Sequence, residues 1–472
     1  MHSFKPQNLF LMTARTLSFF LLTFSLLSMP VVAQDTLQIS FDAFLSKAKQ
    51  SSGQLKLQKQ DVELAENRVD LAQAQRILPN LSFDTQHGLV PGVESNRDDL
   101  SENEYYLDPN LENNWENWAV YTKFELSAVQ PIFTWGAINK AIDAAKLGAE
   151  AARYKYDADQ ANYEMRLFEL YYSYVLALEI ERLLNEAQEK IDQIERQITK
   201  MQEEGNESLD ESDVFKFEIY KSEFEIQKAE VFENMGFVRE TWNYVLRDDE
   251  GTVYEPEVRF LDPISMELES IDFYQEAAFN NRPELKALEV GEEATRTYIS
   301  SLKKQNLPGL YLAGFFNFAH TPNRPRQSNP FIINNTNKLS GGAGFTIRQK
   351  LNFFSIKANL ERSRIELKKA DYAQDAAEDG IMLEVNNTYR QASVAAVKVE
   401  QTDEALVTSK RWVRQEQLDY DFGMGEVKDL IDAMKKELEL KLKQKERIFE
   451  FNSSLAKLNK VSGIPLTTLI SN

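Results

Sequence analysis

The sequence predicts a mainly α protein with a transmembrane β part, built from long coiled-coil helical hairpins and four strands per chain. Three observations carry that prediction. Apolar residues recur at heptad spacing along a proline-free stretch from about Ala137 to Glu204 and again from about Ile381 to Leu406. Ahead of each stretch lie short segments in which apolar and polar residues alternate with period two. Both features occur twice, at an offset of about 220 residues, so the chain reads as a tandem duplication with small insertions.

Composition narrows the classes before any motif is considered. The 472 residues suit about three ordinary domains or one elongated architecture. There is no Cys, which excludes disulfides, thiolate metal sites, cysteine nucleophiles and the acylated N-terminal Cys of a bacterial lipoprotein. With 54 Lys+Arg against 74 Asp+Glu, the net charge of −20 argues against nucleic acid as a partner, because phosphate binding needs clustered cations.

The first element is a secretory signal peptide over residues 1–33: Lys5 and Arg15, an apolar run from Leu17 to Leu27, and small residues closing at Ala33. Its removal takes away those two cations and no acid, moving the charge from −20 to −22. No later stretch offers about 18 uninterrupted apolar residues, so a helical span is not expected. An exported soluble protein and a β-barrel both remain open at this point.

A lead-in helix from about Gly53 ends at Leu78-Pro79, and its second-half counterpart, Pro283 to Gln305, ends at Leu307-Pro308. Strand pairs are expected at about 80–130 and about 309–351. In the first pair Val120, Thr122, Phe124, Leu126 and Ala128 alternate with a mostly polar set; in the second, Leu339, Ala343, Phe345 and Ile347 alternate with Ser340, Gly342, Thr346 and Arg348. The segment from Leu310 is aromatic, and Gly341-Gly342-Ala343-Gly344 reads as small residues easing close packing or curvature. Long polar connections, Gly88 to Asn117 and His320 to Lys338, join the paired strands, as on the outer side of a membrane barrel. Four strands cannot enclose a lumen, since about eight enclose only side chains, so such a barrel needs several chains.

The helical hairpins follow, at about 137–247 and about 355–460. The first helix carries the seam Ile180, Leu184, Ala187, Ile191, Ile194, Ile198, Met201 and, at 1.5 Å per residue, would reach about 100 Å. It breaks at Glu204-Gly205-Asn206, and the return helix places Phe217, Phe224, Val231, Val238 and Val245 at heptad intervals. The second hairpin carries Ile381, Val385, Thr388, Ala392, Ala395, Val399, Thr402 and Leu406, then breaks at Gly423-Met424-Gly425. The domain reading is therefore a first repeat over 34–247, a linker over 248–271, a second repeat over 272–460 and a tail over 461–472.

Asn281-Arg282-Pro283-Glu284-Leu285, the Gln130-Pro131-Ile132-Phe133 junction with Gly136, and Tyr420-Asp421-Phe422-Gly423 before Asp429-Leu430-Ile431-Asp432-Ala433 resemble the TolC family of outer-membrane efflux and type I secretion channels. The resemblance covers essentially the whole mature chain. It implies a homotrimer in the outer membrane of a Gram-negative-type bacterium, with four strands per protomer in a 12-stranded barrel and the hairpins forming a periplasmic tunnel. It further implies a periplasmic adaptor and an inner-membrane pump as partners, contact at the hairpin tips near Gly205, Asp210, Gly423 and Gly425, and outer-membrane lipid around the barrel. Pro79, Pro131 and Pro308 become strand–helix junctions, suited to residues that stop ladder pairing and tolerate a helix start. Lys350 stands where the second half would repeat Pro131. The linker and the tail would form an equatorial collar.

The same resemblance places the gate tyrosine on Tyr420 and two acidic rings on Asp429 and Asp432, while Gly425 occupies the position of the family's gate arginine. Asp210, Glu211 and Asp213 would add charge beside the first break. Catalysis, cofactor binding and metal binding are not expected: His87 and His320, read as strand-end or loop residues, are the histidines beyond the signal peptide, and no phosphate-binding Gly-rich loop occurs. The leading expectation is a passive exit duct, and the alternative is a soluble periplasmic coiled-coil adaptor or scaffold.

Overall fold

The structure is a computed structural model that describes residues 36–101, 104–204, 211–247, 252–327, 329, 331–422 and 424–469. The signal segment and Gly205, Asp210 and Gly423 lie outside the described residues. In chain order the first half holds β1 (Thr36–Ile39), α1 (Phe41–Ser51), α2 (Gly53–Ile77), β2 (Asn80–Glu94), β3 (Glu112–Phe133), α3 (Ala137–Glu203) and α4 (Glu211–Leu246). Next come β4 (Val253–Pro256), α5 (Ile271–Asn281), α6 (Pro283–Gln305), β5 (Gly309–His320), β6 (Lys338–Arg348), α7 (Phe353–Asp421) and α8 (Val427–Val461). Among the described residues no helix is long and apolar enough to cross a membrane.

The chain divides into two compact units, one holding the chain up to Ser51 with Leu170–Leu261, the other holding Ser52–Glu169 and the chain from Asp262 on. In the first unit β1 and β4 pair in parallel, an association of two four-residue strands from either side of the hairpin. Its core is aromatic. Trp242 stacks on Phe44 at 4.3 Å and meets Tyr171 and Tyr174 at 5.4 and 5.0 Å, while its indole N–H donates to Leu170 O at 3.2 Å. Burial pushes the Tyr171 hydroxyl up to about 12. Of the heptad seam of α3, Leu184, Ile191, Ile194 and Ile198 are buried, and α4 buries Phe217, Tyr220 and Phe224. Lys221 ties α4 to Glu195 of α3 at 2.6 Å and Lys228 to Gln188 at 2.8 Å.

The second unit contains a four-stranded antiparallel sheet in the order β2-β3-β5-β6. Strands of 15, 22, 12 and 11 residues all reach the roughly 9–11 residues that cross a bilayer. Because residues directly opposite each other share a face, the register sorts the side chains. Leu81 and Phe83 face Ala128 and Leu126, Leu126 faces Phe316, and Phe318 faces Leu339, so one side of the sheet is mainly apolar, with Thr85, His87 and Thr122 as a polar group within it. The other side carries Ser82, Asp84, Gln86, Lys123, Glu125, Ser127, Asn317, Ser340 and Arg348. Phe83, Phe124 and Phe318 form a ladder at 6.1 and 6.0 Å across three strands of the apolar face. Of the aromatic residues in β5, Phe315 and Tyr311 fall on the polar face instead; Gly342 leaves room for the Phe315 ring, which a Cβ there would meet at 3.2 Å.

The two long connections are stitched together at the far end of the sheet. Arg324 donates twice to Pro91 O, at 2.9 and 2.8 Å, Tyr106 donates to Pro325 O at 2.9 Å, and Asn337 bonds the backbone of Thr321 and Arg324.

At the helical end of this unit α7 buries Ile381, Val385, Thr388, Ala392, Ala395, Val399 and Leu406, seven of the eight seam residues. The Asn281 to Leu285 motif is a one-residue helix break. Arg282, 5% exposed, bonds Glu284 at 3.0 Å and Glu384 of α7 at 2.6 Å. Burial alone would raise the Glu284 carboxyl, but Arg282 holds it below the usual carboxylate range. Burial pushes the neighbouring Lys460 ammonium down, against the pull of Glu384. Gly463, at φ 66°, lies against this break: a Cβ there would stand 2.8 Å from Asn281 Cβ.

Candidate gate and strand-helix base

The second hairpin tip is a backbone construction. α7 ends with Phe422 N–H donating to Leu418 O at 3.0 Å, and Met424 and Gly425 N–H both return to Asp419 O at 2.8 and 2.9 Å. This turn brings Gly425 so close to the helix end that a Cβ would lie 2.9 Å from Tyr420 N and 3.0 Å from Asp419 C. Glycine therefore stands here because the backbone leaves no space, and an arginine has none either. Tyr420 is half-buried in the last turn, and burial raises its hydroxyl.

Asp429 lies in the first turn of α8, where a carboxylate is favourable near unsatisfied helix N–H groups, and Asp432 stands three residues further on. Asp429 is partly exposed with Lys428 Nζ at 4.0 Å, Asp432 is exposed, and Leu430, Ile431 and Ala433 between and beside them are buried. In the first unit, Asp213 differs from the free charge expected: it is buried in the first turn of α4 and paired with Lys216 at 3.1 Å. Glu211 is exposed.

Pro79 lies between α2 and β2, and Pro308 between α6 and β5. Pro131 is a correction: it sits inside β3, opposite Tyr311, where the register shifts before Phe133. A strand bulge accommodates a residue without an N–H, and the turn into α3 falls on Thr134, Trp135 and Gly136, the last two at φ 57° and 77°. Trp135 is held by its indole N–H to Pro308 O at 2.8 Å. The second junction uses no left-handed residue; Phe353 N–H closes a tight turn onto Leu351 O at 2.9 Å. His87 is a second correction, since it lies within β2 opposite Thr122, its ring bonded to Thr85 and Thr122 hydroxyls at 2.8 and 3.2 Å. His320 ends β5 and bonds Asn337 at 3.0 Å.

Where the helices meet the base of the sheet, a cavity of about 890 Å³ opens on the polar face. Its walls include Leu71, Leu78 and Ile138 together with Lys304, Arg348 and Lys350, residues too scattered in the sequence to announce a site. Among the described residues no group of three or more His, Cys, Asp or Glu could hold a metal ion.

A sheet mainly apolar on one face and mainly polar on the other, whose strands run into helices of 67 and 69 residues, defines an outer-membrane channel protein. The chain belongs to the outer membrane efflux protein family, whose model matches residues 44–221 and 274–445. No curated protein matches it. Among solved structures it resembles the CmeC outer membrane channel of Campylobacter jejuni at 15% identity, TM-score 0.68, covering 91% of this chain and 88% of that one. The outer membrane protein VceC of Vibrio cholerae matches at 14% identity and TM-score 0.68 over 90% and 96% of the two chains. The open state of the MtrE outer membrane channel of Neisseria gonorrhoeae matches at 13% and 0.69 over 90% and 89%. At these identities the likeness is one of fold. Family membership makes the protein an outer-membrane efflux duct with a periplasmic extension, and the soluble scaffold finds no support.

Proposed function

We propose that the chain acts as a homotrimeric, passive exit duct, each protomer giving four strands to a 12-stranded barrel, opened when an adaptor and an inner-membrane pump engage the hairpin tips. The observation that carries this reading is the sheet order: β2 and β6 are edge strands whose outer ladders have no partner among the described residues. Unpaired edges are untenable in a bilayer, and four strands are too few to close on themselves. Three chains joined edge to edge satisfy both demands.

At the periplasmic mouth Asp429 and Asp432, repeated around the axis, would concentrate cations, with Lys428 moderating the field. The tip contacts lie around Gly205, Asp210, Gly423 and Gly425. The gate works without an arginine at position 425, where the backbone excludes one. Native mass spectrometry in neutral detergent should give three copies, and any other count overturns the assembly. In planar bilayers the duct should prefer K⁺ over Cl⁻, and Asp429→Ala/Asp432→Ala should lower that preference; an unchanged ratio removes these residues from the gate.

A further inference from the structure

The cavity at the base of the sheet has a charge opposite to that of its chain. The protein carries 74 acidic against 54 basic residues, yet the lining of this cavity includes three cations and no Asp or Glu. None of Lys304, Arg348 and Lys350 forms an ion pair with a described carboxylate. Arg348 spreads its guanidinium over the Tyr311 ring at 5.7 Å, which orients it without neutralising it. Lys304 is half-buried, with its ammonium reaching over Gly136. Leu71, Leu78 and Ile138 supply apolar wall on the helix side. A volume of about 890 Å³ falls in the range of roughly 300–1,000 Å³ typical of small-molecule sites, which pair apolar walls with a few convergent polar groups.

We propose that this cavity binds an amphipathic organic anion, its carboxylate, sulfonate or phosphate resting on Lys304, Arg348 and Lys350 and its apolar body on Leu71, Leu78 and Ile138. The three cations create a positive potential that nothing in the lining offsets, and an anion gains charge-assisted hydrogen bonds there that a neutral analogue cannot make. The apolar wall adds burial, so a small inorganic anion binds more weakly than an anion with a hydrocarbon body. A soluble solute in transit and the headgroup phosphate of a lipid both have this chemistry.

The test uses the full chain in neutral detergent and does not depend on subunit count or conductance, so its failure leaves the duct reading intact. Naphthalene-1-sulfonate and the neutral naphthalene-1-methanol are titrated by ligand-observed NMR, and native mass spectra record retained phosphatidylglycerol. The sulfonate should bind at least about tenfold more tightly than the alcohol, and Lys304→Gln/Arg348→Gln/Lys350→Gln should abolish that difference. Exposed Lys350→Gln alone, which leaves the apolar wall untouched, should weaken the sulfonate severalfold and serves if the triple variant does not fold. Phosphatidylglycerol retained by the wild type, lost from the variant and displaced by the sulfonate assigns the site to a lipid phosphate; sulfonate binding without retained lipid assigns it to a soluble anion. Equal affinity for the two naphthalenes, or variants that bind as the wild type does, overturns the proposal.

Discussion

Each half of the molecule contains an 11-residue helix, one break residue and a longer helix: α1, Ser52 and α2 in the first, α5, Arg282 and α6 in the second. The two breaks are built by different means. Ser52 is a local solution, its hydroxyl accepting from Leu55 N–H at 3.2 Å to satisfy one orphan donor of α2. Arg282 makes no side-chain cap bond; Pro283 presets the first turn of α6 while the guanidinium reaches Glu384, 102 residues away. The same helix-break-helix arrangement can thus rest on three residues of local sequence in one place and on contacts made only in the folded state in the other.

If that contrast is right, damage to the second break should be larger and should spread into α7. Arg282→Ala should cost about 2–4 kcal/mol, under the full cost of splitting a buried pair because Glu284 and Glu384 keep about a third of their exposure. Hydrogen exchange should quicken in α6 and α7 together; protection lost in α6 alone breaks the comparison. Gly463→Ala should follow at about 2 kcal/mol, combining a left-handed backbone with the contact on Asn281. Ser52→Ala should cost about 1 kcal/mol, read as faster exchange confined to the first turn of α2. The smallest effect is pH. A carboxyl held below its ordinary value adds stability above that value and loses it as pH falls through the folded one. Protection at the second break, measured relative to the intrinsic exchange rate at each pH, should therefore fall below about pH 4.5, while the Ser52 cap shows no step.

The features that were legible in the sequence are those with a period. The seam of α7 is buried at seven of its eight positions, and the alternation of β3 and β6 became the apolar face of the sheet. Leu-Pro at 78–79 and 307–308 marked helix-to-strand turns because proline cannot join a ladder. Pro131 obeyed the same rule by another route, a register shift inside β3, which nothing local distinguishes from a strand end. The pairing of β1 with β4 and the short helices α1 and α5 leave no periodic signal in the sequence, since four-residue strands and 11-residue helices owe their stability to tertiary contacts such as Phe44 on Trp242. Asp213 reads as surface charge in the sequence because its burial, in the first turn of α4, comes only with folding. The three cations of the basal cavity lie on α6, at the end of β6 and just beyond it, so only the antiparallel return of the chain assembles them.

The glycine at the second hairpin tip has a consequence for anyone wishing to install an arginine latch in this duct. Because a Cβ at position 425 meets main-chain atoms of Tyr420 and Asp419, Gly425→Arg is not a graft but a rearrangement of the turn. A route to such a variant starts by lengthening the loop between α7 and α8, and only then adds the cation; the reverse order breaks the turn before the latch can act.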